Sequence, residues 1–128
     1  MLYKKIFIFL YILMFSTSIF ANTPRSTGKF KNWESFIVET DKGKICFAQT
    51  VPTKRAPSSI QREKSKLFVT FRPSENIKDE VSLTSGHDYK SSTVTAASGK
   101  KRYSFFSQKN FAWLLDDQEE RNFIKLMK

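Results

Sequence analysis

A single cysteine and a single histidine stand among the 128 residues, and that scarcity rules out whole classes of chemistry. With Cys46 alone, no disulfide closes within the chain, so the fold must rest on its apolar core. One Cys and one His cannot supply the four ligands of a structural zinc site, and neither a metal nor a cofactor is expected. Glycine and proline number four each, too few for a disordered or repetitive stretch. No internal repeat and no low-complexity tract is present. Acidic side chains are scarce too, 12 against 22 basic, which leaves a formal net charge of +10.

What the chain does have begins at its N-terminus. Lys4 and Lys5 precede an apolar run from Ile6 to Phe15, and Ser16 to Ala21 offers small residues before Asn22. Charge, apolar run and small-residue exit, in that order, make residues 1–21 a cleavable secretion signal. From Ile6 to Ala21 is about 16 residues, short of the roughly 20 that a membrane-spanning helix needs. No cysteine lies near the cleavage point to carry a lipid. The remaining 22–128, about 107 residues, are enough for one domain with one core. Without Lys4 and Lys5 its net charge is about +8. Nine phenylalanines and two tryptophans give it an aromatic-rich interior.

The pattern after Asn22 is mostly of period two. After a polar lead from Asn22 to Gly28, Trp33–Thr40 and Ile45–Val51 flank the turn Asp41-Lys42-Gly43-Lys44 and predict a hairpin. Pro52 to Lys66 is a polar loop. Leu67, Val69 and Phe71 alternate up to Pro73, with Phe68 interrupting the polar face. Glu80–Thr84 alternates cleanly, and Ser92–Ala96 and Arg102–Phe106 flank a second hairpin turn at Ser98–Lys101. Phe105 and Phe106 must face opposite ways. Only the end reads as helical: Asp116 or Asp117 as cap, Glu119 and Glu120 in the first turn, Lys125 and Lys128 in the last. Phe123, Ile124 and Met127 share one face. The expected fold is therefore mainly β, an antiparallel β-sandwich or barrel-like domain with one C-terminal helix.

Several of these pieces recur, in order, in a known family. Phe30 to Trp33, Cys46, Pro52, Val69-Thr70-Phe71-Arg72-Pro73 and Val81-Ser82-Leu83 lead to Gly86 and Tyr89. Lys101 to Phe105, Ala112-Trp113 and Leu126-Met127-Lys128 follow. The chain resembles the invasion-associated locus B proteins of alphaproteobacterial envelopes. That resemblance implies a small exported β domain, periplasmic or outer-membrane associated, with no established enzymatic chemistry. Similar proteins continue past the Met-Lys position with strand-like, glycine-punctuated sequence. Ending at Lys128, this chain is expected either to lack those last strands or to be a fragment, and a missing strand leaves a sheet edge exposed.

Candidate chemistry is thin. A nucleophile would need Cys46 with His87, and Asp88 or Asp116 behind them. Flanked by Ile45 and Phe47, Cys46 is expected to be buried and inert, and His87 to sit in an exposed turn. A small periplasmic enzyme or redox protein using Cys46 is thus the alternative to a non-enzymatic binding or accessory module. The aromatic set Tyr103, Phe105, Phe106, Phe111 and Trp113 is read as core before ligand platform. Basic residues remain: Lys54, Arg55, Arg62, Lys64, Lys66, Lys100, Lys101 and Arg102, all in loops or at strand ends. They point to an anionic envelope component or acidic protein as partner, with peripheral membrane association included. Export argues against nucleic acid.

Overall fold

A computed structural model describes residues 22–128, so the expected signal at 1–21 lies outside the described residues. Eight strands and one helix make up the domain: β1 (Arg25–Phe30), β2 (Trp33–Thr40), β3 (Gly43–Thr50), β4 (Lys66–Arg72), β5 (Ile77–Thr84), β6 (Val94–Ser98), β7 (Lys101–Gln108), β8 (Phe111–Trp113) and α1 (Asp117–Leu126). A single 3-10 turn, Pro73–Glu75, joins β4 to β5. The strands form one antiparallel sheet in the order β1-β2-β3-β4-β5-β8-β7-β6. The mainly β architecture with one terminal helix is the expected one.

The first hairpin has the anticipated register, Thr40 opposite Gly43 through Trp33 opposite Thr50. The second closes at Ser98 opposite Lys101. Two strands escaped the pattern. The segment read as a polar lead is largely β1, an edge strand whose six residues are all exposed. An edge strand needs no alternation because neither face is buried, and Thr27 bulges between Ser26 and Gly28. β8 is only three residues long, too short to show a period, yet it joins β5 to β7.

The core is on one side of the sheet. Helix α1 starts at Asp116, whose carboxylate accepts the Glu119 N–H at 2.8 Å, and it carries Phe123 onto Tyr103 and Phe105. The ring centroids lie 5.1 and 5.8 Å apart, both edge-on. Val81, Ala112 and Leu114 complete this layer, and Ile124 and Met127 pack against it. Phe105 is 1% exposed and its neighbour Phe106 56%, the two faces of β7 that adjacent positions require. On the outer face, Phe68 is no interruption. It belongs to a cross-strand ladder in which Phe36, Phe47, Phe68, Phe111 and Trp113 touch in sequence, 5.1 to 6.1 Å between centroids. Of the aromatics read as core, Tyr103 and Phe105 are buried, whereas Phe106, Phe111 and Trp113 lie on this outer face.

Candidate binding surface

Strand register fixes where the charged loops emerge. Trp33 pairs with Thr50, Thr50 with Leu67, and Lys66 with Thr84. The β1–β2 turn at Lys31 and Asn32, the 51–65 loop and the segment after Thr84 therefore leave the same end of the sheet. Lys54, Arg55, Arg62, Lys64 and Lys66 all belong to that end. Phe106 lies level with Trp113 and hence with Ser82, which puts Lys101 level with Ile77 at the far end. Lys100, Lys101 and Arg102 are thus separated from the other five by about 20 Å along the strands. The eight basic residues form two groups.

The larger group gains neighbours that sequence spacing did not single out. Lys31 lies over the Phe30 ring, its Nζ 5.5 Å from the centroid. Phe30, Lys31 and Trp33 share a groove of about 500 Å³ with Ile124, Met127 and Lys128 at the end of α1. The 51–65 loop is held in shape by its own arginines. Arg55 donates to the Glu63 carbonyl at 3.3 Å and Arg62 to that of Ala56 at 2.9 Å. Those are neutral acceptors, so the charges stay uncompensated. Among the described residues none of the eight is in an ion pair, whereas Lys29, Lys44 and Arg72 are. The same end exposes large apolar side chains: Phe30 at 73%, Ile60 at 54% and Val51 at 49%.

Helix α1 lies over the β5, β7 and β8 part of its face, and its last turn reaches the groove beside Trp33, Ala48 and Val69. Over β2–β4 that face is open, and Ile37, Cys46, Ala48, Val69 and Phe71 line a second depression of about 330 Å³. Cys46 was expected to be buried and is instead half-buried. The reason is that the helix does not reach Cys46, whose depression is lined by strand residues alone. Cys46 pairs with Phe71 toward the far end, while His87 follows Thr84 at the basic end, edge-on to Tyr89 at 4.9 Å. Asp88 accepts the Lys90 N–H and Asp116 caps the helix. The four residues of the conceivable nucleophilic set are dispersed. Among the described residues no three His, Cys, Asp or Glu are grouped to hold a metal, and no helix is long and apolar enough to cross a membrane.

No family model, curated protein or solved structure matches this chain.

Proposed function

We propose that this chain is an exported, non-enzymatic binding module of the bacterial envelope that docks its basic end on an anionic membrane surface. The observation that carries the proposal is the mixture at that end. Phe30, Val51 and Ile60 are exposed beside Lys31, Lys54, Arg55, Lys64 and Lys128, with the cations unpaired. Apolar tips enter the headgroup boundary while lysines and arginines meet anionic headgroups, the combination that peripheral attachment uses. The leader-like residues 1–21 would deliver the domain to the periplasm or outer membrane. The ordered resemblance to the invasion-associated locus B proteins agrees with such a location. Against a redox or nucleophilic enzyme stands the dispersal of Cys46, His87, Asp88 and Asp116.

Sedimentation with phosphatidylglycerol vesicles tests the proposal. Binding is expected at low salt and should weaken about tenfold or more between roughly 50 and 500 mM NaCl, with phosphatidylcholine vesicles left unbound. Lys54→Glu with Lys64→Glu should weaken it, whereas Lys100→Glu with Lys101→Glu should not. Salt-independent binding, or equal loss from both pairs, would falsify the assignment of the basic end.

A further inference from the structure

A separate cavity shares no residue with the groove at the basic end. It is a cleft of about 920 Å³ between the start of β5, the outer face of β7 and β8, and the first turn of α1. That volume is within the range of roughly 300–1,000 Å³ typical of sites for small organic ligands. Phe106 and Trp113, directly opposite each other on β7 and β8, line it with aromatic surface. Phe106 is 56% exposed, because Phe105 beside it takes the core face of β7.

The polar lining is of one kind. Its side chains are nearly all planar and hydrogen-bonding: arginines, carboxylates and the amides of Asn76 and Gln108. Three cationic and four anionic side chains are interspersed, so the cleft has little net charge. A phosphate or sulfate would meet the carboxylates, and a polyamine the guanidinium groups. Several of these groups are also held in place. Arg72 Nη2 bonds Glu80 Oε2 at 2.5 Å, and Glu120 Oε1 accepts the Val81 N–H at 3.0 Å. The backbone of β5 bordering the cleft is occupied at Val81, whose carbonyl takes the Leu114 N–H at 3.1 Å.

We infer that this cleft binds a neutral oligosaccharide, with a sugar ring stacked on Phe106 and Trp113. A pyranose has apolar C–H faces and a rim of hydroxyls that both donate and accept. An aromatic wall edged by fixed planar donors and acceptors meets both requirements, and it needs no net charge. The site is independent of the proposed membrane docking and shares no residue with the groove at the basic end.

The test uses the protein recovered from secretion, carrying Trp33→Phe so that Trp113 is its only tryptophan. Triacetylchitotriose, cellotetraose and maltotetraose are titrated while Trp113 emission is followed. At least one should give a saturable change at millimolar concentration or below that persists in high salt, and Phe106→Ala should weaken it about tenfold. Phe106 is exposed, so its loss leaves the fold intact, and unchanged far-UV dichroism of the variant establishes that. No saturable change with any of the three, or undiminished binding by Phe106→Ala, overturns the inference. A response to glucose 6-phosphate but to none of the neutral sugars does so too, since it makes the site an anion site. Vesicle binding should be unaffected by Phe106→Ala, which keeps this outcome separate from that of the membrane proposal.

Discussion

Val81 sits where the β5–β8 ladder stops, and its backbone must find partners beyond it. β8 pairs with β5 only at Ser82 and Leu83. One residue earlier, the Leu114 N–H and the Glu120 carboxylate take over as partners of the Val81 carbonyl and N–H. Glu120 is only 6% exposed for this reason, although a first-turn glutamate reads in the sequence as a solvated helix acid. Burial raises its pKa, the Val81 N–H opposes that rise, and Asp117, Glu80 and Asp79 add to it. Because the folded pKa is raised, folding favours the protonated acid. Its stabilising contribution is complete below the usual carboxylate value and is lost as pH rises through the folded one. Glu120→Gln keeps an acceptor for Val81 without the charge, so it should raise stability at neutral pH, with the gain fading in acid. Glu120→Ala leaves the buried N–H unpaired and should cost about 1–3 kcal/mol. Urea denaturation at two pH values checks both, and a glutamine variant less stable than wild type at pH 7 would refute the account.

Among the elements, the 51–65 loop is the one whose position matters for the proposed docking, and one glycine holds it in place. Gly86 has φ +73°, and a Cβ there would run into the Glu63 carbonyl. The Glu63 end of the loop, next to Lys64, is therefore pressed against the turn after β5. Gly86→Ala combines a left-handed backbone with that clash, each of which costs about 1–3 kcal/mol, and should push the loop outward. Lower stability together with faster proteolysis between 51 and 65 is expected; unchanged cleavage would show that the clasp does not restrain the loop. From the sequence, the alternation of Glu80–Thr84 was legible, as were the turns at Gly43 and Gly99, although in β5 the polar positions Ser82 and Thr84 are buried as well as Val81. β1 and β8 were not, the first being a solvated edge and the second too short. Nor was the division of the basic residues into two ends, since that depends on register between strands far apart in the chain. The aromatic wall of the cleft was visible only as Phe106 and Trp113 without a place. Its polar half comes from β4, β5 and α1, which only tertiary packing brings together.

At the scale of the whole domain, burial is uneven. All the described residues that are buried, from Val81 to Phe123, belong to β5, β7, β8, α1 and the segments between them. β2–β4 contribute half-buried side chains but none that is fully enclosed, and β1 is exposed throughout. Local stability follows enclosed apolar contact, so the two halves of one continuous sheet should open at different free energies. Amide hydrogen exchange should show β5, β7 and α1 protected up to the global unfolding free energy, with β1 and β2 exchanging through smaller openings. The Trp33 side of the open groove belongs to the weaker half, and so does the basic end. A surface that binds there stabilises the half with the most protection to gain. Adding phosphatidylglycerol vesicles should therefore slow exchange in β1, β2 and the 51–65 loop while leaving β7 nearly unchanged. Equal protection across all eight strands in the free protein would remove the gradient. Slowing confined to β6 and β7 would place the membrane contact at the Lys100–Arg102 end instead.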